Sequence, residues 1–293
     1  MSNRILVIGA NGMLGGSLFR HFSIIKKYSV IGTVRNEKAK HQLKMQGFDN
    51  VISKIDIGNL YNISDLIKEV KPNYILNCVG IIKQRDNAKN NIPIIEVNSL
   101  FPHKLASMAS HCGAKLIHFS TDCVFSGTSG NYRESDVADS FELYGRSKLL
   151  GEVDYDNHLT LRTSIIGHEL GRGISLVDWF LNQNGTVFGF KNAIFSGLPT
   201  CYMASVIEDY ILSRPKISGL YHLSVDPIDK FTLLEMINDT YGLNKIIKEN
   251  VDFKINRSLN SDKLNELIKI KDITWNTLIK RMHDEYINYF KKD

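Results

Sequence analysis

The sequence lacks the features that mark a membrane-spanning, secreted or metal-binding protein. No hydrophobic run approaches the ~20 residues of a membrane span, and the N-terminus leads straight into a short strand-like segment. The cysteines are few and form no CxxC pair, and no histidine stands at metal-ligand spacing from them; they are Cys78, Cys112, Cys123 and Cys201. We therefore predict a cytoplasmic protein with reduced thiols, no metal site and no membrane contact.

No basic run is interleaved with aromatic residues, and the charges are close to balanced. The chain has 36 Lys and Arg against 31 Asp and Glu, a formal net charge of +5. This balance favours weak attraction for anionic small molecules and argues against a nucleic-acid partner. With 293 residues, 43% of them hydrophobic, the chain is long enough for one large domain that carries a smaller one.

Short apolar runs alternate with helix-period segments in the first half of the chain, as in βαβ units around a parallel sheet. The predicted strands there are Ile5–Ile8, Ser29–Val34, Val51–Ile55, Tyr74–Cys78, Lys115–Ser120 and Thr160–Arg162. We predict an α/β fold with a doubly wound parallel sheet in residues 1–163 and a smaller mixed α/β substrate-binding domain in residues 164–293. A segment near residues 195–215 is expected to return to the first domain, and Phe188–Gly197 to be loop or short strand.

A glycine-rich loop, GxxGxxG, directly follows the first strand and opens a helix. Its glycines permit a tight turn, so that the free N–H groups at the start of the helix can face a pyrophosphate. The strand before it and the amphipathic helix after it are the context that a dinucleotide-binding, Rossmann-type loop requires. The predicted cofactor-binding residues of this loop are Gly9, Asn11, Gly12, Met13, Leu14 and Gly15.

The end of the second strand indicates which dinucleotide is bound. A carboxylate there would accept a hydrogen bond from a ribose 2′-hydroxyl, whereas a cation would bind a 2′-phosphate. Arg35 stands at this position, and Lys38 and Lys40 follow it. The sequence therefore favours NADP(H) as the cofactor, with NAD(H) as the alternative, although a solvated basic surface would give the same pattern.

Tyr144 and Lys148 stand four residues apart, which places a phenol and an ammonium on one face of a helix. A phenol with a pKa near ~10 is a poor proton donor or acceptor at neutral pH, and a neighbouring cation favours its phenolate. Lys148 can also donate hydrogen bonds to ribose hydroxyls. Thr121, at the end of the fifth strand, is the predicted donor to a reacting carbonyl, with Ser120 as the alternative.

Taken together, these residues resemble an extended short-chain dehydrogenase/reductase, and within that group the dTDP-4-dehydrorhamnose reductases and related nucleotide-sugar reductases. The resemblance implies that Thr121, Tyr144 and Lys148 are catalytic, and that Tyr144 and Lys148 also contact the cofactor. It further implies that the cofactor is bound by Asp56 and Ile57 after the third strand, by Cys78, Val79 and Gly80 after the fourth, and by Asn98.

The resemblance is weaker towards the C-terminus. Arg257, in Arg-Ser-Leu, resembles a substrate-domain residue and is a candidate for substrate binding, with an ordinary ion pair as the alternative. The family commonly has a proline shortly before the catalytic tyrosine, whereas this chain reads Asp139-Ser-Phe-Glu-Leu-Tyr144, and the segment Val187–Ser196 also departs from the family pattern. The identity of the substrate is therefore not carried over.

The implied function is reduction of a 4-keto group on a nucleotide-linked (6-deoxy)hexose in surface polysaccharide biosynthesis. One alternative is a nucleotide-sugar epimerase, which would retain NAD. The other is a non-catalytic dinucleotide-binding regulatory subunit, which would not need the three catalytic groups. A homodimer is an expected assembly of this fold, and His118, within the fifth strand, is predicted to be a core residue.

Overall fold

The computed structural model describes residues 3–82, 91–171 and 174–291. Its strands are β1 (Arg4–Ile8), β2 (Ser29–Thr33), β3 (Val51–Ile52), β4 (Tyr74–Asn77), β5 (Lys115–Thr121), β6 (Leu159–Thr163), β7 (Ile165–Ile166), β8 (Thr186–Phe190), β9 (Ala193–Phe195), β10 (Leu198–Pro199), β11 (Gly219–His222), β12 (Ile228–Asp229), β13 (Ile246–Asn250) and β14 (Ile255–Asn256).

The helices alternate with the strands through the first half of the chain. They are α1 (Met13–Ile25), α2 (Glu37–Met45), α3 (Leu60–Val70), α4 (Asn91–Ile95), α5 (Phe101–His111), α6 (Leu143–Leu149), α7 (Leu176–Leu181), α8 (Thr200–Val206), α9 (Lys230–Tyr241), α10 (Asp262–Ile268) and α11 (Trp275–Tyr289). A π-helical turn, Glu96–Leu100, joins α4 to α5. No helix in the described ranges has the length and apolar character needed to cross a bilayer.

Seven parallel strands form the main sheet in the order β11-β6-β5-β4-β1-β2-β3. Alternate side chains of β1 enter two different cores. Ile5 and Val7 pack with residues of α1 and α8, whereas Leu6 and Ile8 pack with residues of α3 and α5. Helices cover both faces of the sheet, which explains why β1 reads as one continuous apolar run. The predicted doubly wound α/β fold is confirmed.

The strand order reverses at β1, whose neighbours are β2 on one side and β4 on the other. In open α/β sheets, connections leave in opposite directions at such a point and open a crevice at the carboxyl ends of the strands. The glycine loop follows β1 directly and therefore lies at this crevice.

The third strand is shorter than predicted, since it ends at Ile52 rather than Ile55. Lys54 adopts a left-handed conformation with φ of 62°, which turns the chain out of the extended path. The N–H of Ile55 still donates a hydrogen bond to the carbonyl of Val34, so the segment stays against the sheet.

A third core lies in the C-terminal half, where Val177, Phe180, Leu233, Ile237 and Met282 pack together. The segment predicted to be loop or short strand contains parts of two strands: β8, which pairs with β13, and β9, which lies between β12 and β14. Two elements of this half also meet the main sheet, because α8 packs in the same core as α1 and β11 pairs with β6. The division into two domains at residue 163 remains a prediction.

Candidate active site

The glycine loop is too tightly packed for side chains at two of its positions. Gly9 has φ of 87°, and a Cβ there would lie 2.8 Å from Cγ2 of Val79. A Cβ on Gly15 would lie 2.2 Å from the carbonyl oxygen of Gly9. Both positions therefore require glycine, and the loop is pressed against the end of β4.

The start of α1 leaves its backbone donors available to a ligand. Gly12 is the N-cap, and no side chain among the described residues caps it. The first helical bond runs from the N–H of Gly16 to the carbonyl of Gly12, so the N–H groups before it have no acceptor within the helix. A helix of 13 residues with free donors and no acidic residue in its first turn suits a dinucleotide pyrophosphate.

Three residues predicted to contact the cofactor lie on the loops that follow β2 and β3. Arg35 is exposed immediately after β2. Asp56 is exposed on the loop after β3, where its Oδ1 accepts a hydrogen bond from the N–H of Gly58 at 3.0 Å. Ile57 is half-buried and packs against the core beneath this loop.

The end of β4 connects the glycine loop to the predicted catalytic residues. The Cβ of Cys78 would lie 3.0 Å from a Cβ on Gly15. Burial raises the pKa of the Cys78 thiol, and the nearby Lys148 opposes that rise. Cys78 thus lies between the glycine loop and Lys148, which were predicted from separate motifs.

Asn98, in the π-helical turn, hydrogen-bonds both the loop after β4 and helix α6. Its Oδ1 accepts a hydrogen bond from the N–H of Ile81 at 2.9 Å, and its Nδ2 donates to the carbonyl of Ile81 and to Oγ of Ser147. These bonds tie the loop that contains Gly80 to α6. The described contacts of Asn98 are thus with the protein itself, and its predicted role in cofactor binding remains a prediction.

Thr121 and Tyr144 come together at the carboxyl end of β5. Oγ1 of Thr121 donates to Oδ1 of Asp122 at 3.1 Å and accepts from the N–H of Cys123 at 3.2 Å. Burial raises the pKa of Tyr144, and the nearby hydroxyl of Thr121 opposes the rise. Ser120, the alternative to Thr121, has its hydroxyl engaged with Glu152 at 2.6 Å. Thr121 is the better placed of the two hydroxyls because it lies beside Tyr144.

Lys148 lies one turn beyond Tyr144 on α6 and points towards β5. Its Nζ donates to the carbonyl oxygen of Phe119 at 2.6 Å and lies 3.4 Å from Nε2 of His118. Burial lowers the pKa of Lys148 to about 8, and the nearby Glu152 opposes that decrease. The expected effect of Lys148 on the pKa of Tyr144 remains a prediction for the protein with cofactor bound.

One charged group near the predicted catalytic residues, Lys230, was not found from the sequence. Burial raises the pKa of Asp122, which Arg257 and Lys230 both oppose. Arg257 donates from Nε to the carbonyl of Phe125 at 2.9 Å. The predicted substrate residue Arg257 thus lies beside residues 122–125, the loop that follows Thr121 and is called the catalytic loop below. Lys230 is a second cation near this loop. Lys230 begins α9, far from both in the chain, and no local motif distinguishes it.

His118 is buried, as predicted, but it also contacts predicted site residues. Its Nδ1 lies 3.1 Å from Nδ2 of Asn77 on the neighbouring strand. Within the described ranges, no group of three or more His, Cys, Asp or Glu residues could hold a metal ion.

A family model and several known proteins match this chain. The model of the RmlD substrate binding domain family matches residues 3–287. Methionine adenosyltransferase 2 subunit beta of Xenopus tropicalis is 31% identical over 266 residues, which cover 82% of this chain and 72% of that protein. The dTDP-4-dehydrorhamnose reductase of Aggregatibacter actinomycetemcomitans is 26% identical over 234 residues, covering 76% of this chain and 74% of that protein.

A solved structure shares the fold along almost the whole chain. It is the dTDP-4-dehydrorhamnose reductase of Bacillus anthracis str. Ames in complex with NADP, with a TM-score of 0.80 and 20% sequence identity. The superposition covers 97% of this chain and 99% of that chain.

Proposed function

The chain belongs to the RmlD substrate binding domain family, a group of extended short-chain dehydrogenases/reductases, and on this premise we propose that it reduces the 4-keto group of a nucleotide-linked (6-deoxy)hexose. The observation that carries the proposal is the meeting of the Thr121 and Tyr144 hydroxyls at the crevice of the sheet, with Lys148 one helical turn away. Production of sugars for surface polysaccharide is the proposed setting.

Side chains of this protein would hydrogen-bond the carbonyl oxygen of the substrate and donate a proton to it. A bound nicotinamide supplies hydride chemistry. Tyr144 donates a proton to the substrate oxygen as negative charge develops on it, and burial keeps the phenol protonated beforehand because it raises the pKa. Thr121 donates a hydrogen bond to the same oxygen. Lys148, in its ammonium form, stabilises the tyrosinate that is left.

NADP(H) is the proposed cofactor, in preference to NAD(H). The support is the exposed guanidinium of Arg35 just after β2, which can donate hydrogen bonds to a 2′-phosphate. Asp56 lies one strand further on and would contact the adenine side. The free N–H groups at the start of α1 would hold the pyrophosphate of either dinucleotide.

Arg257 and Lys230 are proposed to favour a substrate with an anionic portion, such as a nucleotide diphosphate. Each is close enough to Asp122 to lower the pKa of that carboxyl. Arg257 also forms an ion pair with Glu142, in which the two charged groups lie 3.9 Å apart. The phosphates of a nucleotide sugar would replace these carboxylates as acceptors for Arg257 and Lys230.

The test is NADPH oxidation with a panel of enzymatically generated dTDP-, UDP- and GDP-4-keto-6-deoxyhexoses. We expect turnover of one member, and loss of that turnover in the Tyr144→Phe variant. Silence across the panel, together with NAD released from the denatured protein, would overturn the reductase and favour an epimerase.

A second candidate function is that of a subunit of a methionine adenosyltransferase. The observation in its favour is the similarity to methionine adenosyltransferase 2 subunit beta, which extends over 82% of this chain. Co-elution of the purified chain with a methionine adenosyltransferase of the same organism, combined with silence across the sugar panel, would support it. Turnover of a panel member without co-elution would rule it out.

A further inference from the structure

His118 sits in the middle of a buried chain of polar groups that ends at Lys148. Its side chain has no solvent exposure, and Asn77 beside it is 1% exposed. Nδ1 of His118 lies 3.1 Å from Nδ2 of Asn77, and Nε2 lies 3.4 Å from Nζ of Lys148. Both ring nitrogens are therefore committed to protein partners.

The orientation of Asn77 decides which ring nitrogen carries the proton. Oδ1 of Asn77 accepts from the N–H of Val79 at 3.3 Å, so Nδ2, a donor, faces the imidazole. Nδ1 of His118 must then be an acceptor. A neutral imidazole has one N–H, which is consequently on Nε2 and faces Lys148. Burial, and after it the charge of Lys148, lower the pKa of His118 well below its ordinary value, so the ring is neutral.

An N–H that faces Nζ discriminates between the two forms of the lysine. An ammonium has donors only and cannot accept this hydrogen, whereas a neutral amine has a lone pair that can. Nζ can still donate to the carbonyl of Phe119 in either form.

On the basis of the proposed function, we propose that His118 is a positioning residue for Lys148, whose neutral amine it favours over the ammonium in the cofactor-free protein by donating a hydrogen bond from Nε2 to Nζ. Asn77 fixes the direction of this bond from the other side of the ring. The ammonium that the reaction requires beside Tyr144 cannot accept this bond, so His118 makes Lys148 easier to deprotonate.

The other groups around Nζ do not act in the same direction. Glu152 and Cys78 favour the ammonium, since each raises the pKa of Lys148, whereas burial lowers it. Glu152 is itself neutralised by an ion pair with Arg162 at 2.8 Å. His118 is thus the neighbour whose hydrogen bond adds to the effect of burial.

The experiment is an NMR titration of the cofactor-free protein labelled with ¹³Cε-lysine, in which the Lys148 resonance is assigned by its absence in Lys148→Arg. We expect the wild-type resonance to titrate with a midpoint of about 8. In His118→Phe, which keeps the ring and removes both nitrogens, the midpoint should rise by about one pH unit, the effect of one lost hydrogen bond.

Asn77→Ala provides a second variant that does not alter the imidazole. It frees Nδ1, so the proton can move there and leave Nε2 as an acceptor for an ammonium. We expect a similar rise in the midpoint, and no further rise when Asn77→Ala is combined with His118→Phe, because both changes remove the same bond.

His158→Phe is the matched control. His158 is also buried in this half of the protein, where its Nδ1 accepts from the N–H of Leu116 at 3.1 Å. The His158→Phe variant should be less stable than the wild type but should show the same titration midpoint for Lys148. An unchanged midpoint in folded His118→Phe, or additive rises in the double variant, would overturn the proposal. Because the titration needs neither cofactor nor turnover, an inactive sugar panel would refute the proposed function alone.

Discussion

The carboxylate of Glu152 and the guanidinium of Arg162 form a two-point ion pair directly beside the strand that ends in Thr121. Nε and NH2 of Arg162 each donate to one oxygen of Glu152 at 2.8 Å, and both side chains are more than nine-tenths buried. The hydroxyl of Ser120 adds a third bond to the carboxylate at 2.6 Å. The pair therefore supports the residue that precedes Thr121.

Removal of one member of this pair should be strongly destabilising. We expect Glu152→Gln to lower the free energy of unfolding by about 3 kcal/mol, because it leaves the Arg162 charge buried and uncompensated. Urea unfolding at neutral pH measures the change. The control is Glu152→Gln combined with Arg162→Met, which removes the charge and should regain part of the loss. A single variant as stable as the wild type would contradict the structural role of the pair.

Tyr144→Phe tests the proton donor. The variant should bind NADPH with nearly unchanged affinity, because the hydroxyl acts mainly in the transition state. Its kcat should fall by about 10² to 10⁴, the usual contribution of a positioned acid. Steady-state turnover of the active panel sugar and a fluorescence titration with NADPH supply the two numbers. Near-normal turnover would exclude Tyr144 as the donor.

The parts of the site that could be predicted from the sequence are those defined by local spacing. The GxxGxxG loop and the Tyr144–Lys148 pair each lie within a few residues, so their geometry follows from one turn or one helix. The contact between His118 and Asn77 joins residues 41 positions apart, on neighbouring strands. Burial of His118 could be predicted, but its polar partners could not, because they depend on strand register.

The same reasoning explains the errors and omissions in the predicted fold. The predicted third strand, Val51–Ile55, ends early because Lys54 adopts a left-handed conformation, for which lysine has no strong preference. Lys230 approaches Asp122 only because α9 packs near the catalytic loop. Such contacts arise from tertiary packing and leave no periodic signal in the sequence.

Gly15→Ala tests the packing of the glycine loop. Its Cβ would lie 2.2 Å from the carbonyl oxygen of Gly9, a backbone atom that cannot rotate away as a side chain could. We expect stability to fall by about 1–3 kcal/mol and NADPH binding to be lost. In the control, Gly12→Ala, the Cβ lies 3.6 Å from the same oxygen, an ordinary contact. That variant should stay within about 1 kcal/mol of the wild type. Equal stabilities for the two variants would refute the expected clash.

Arg35→Ser tests the choice of dinucleotide. Loss of the guanidinium should reduce the ratio of kcat/KM with NADPH to kcat/KM with NADH by about tenfold to hundredfold, the value of a hydrogen bond between charged groups. Lys38→Ser, which removes an exposed cation from the first turn of α2, should change the ratio much less. A wild-type protein that prefers NADH would refute the proposed preference before either variant is made.

The buried ammonium of Lys148 should make stability depend on pH in the alkaline range. Burial lowers its pKa in the folded protein to about 8 from an ordinary value of 10.5. Between these two values the unfolded chain binds more protons than the folded one, so the free energy of unfolding rises with pH. Relative to Lys148→Met, the wild type should gain about 2–3 kcal/mol in free energy of unfolding from pH 8 to pH 10.5.

Lys115, whose pKa burial also lowers to about 8, is present in both proteins and cancels in the difference. Urea unfolding of the pair across this range measures the slope, and a difference that does not change with pH would mean that Lys148 keeps its ordinary pKa in the folded state.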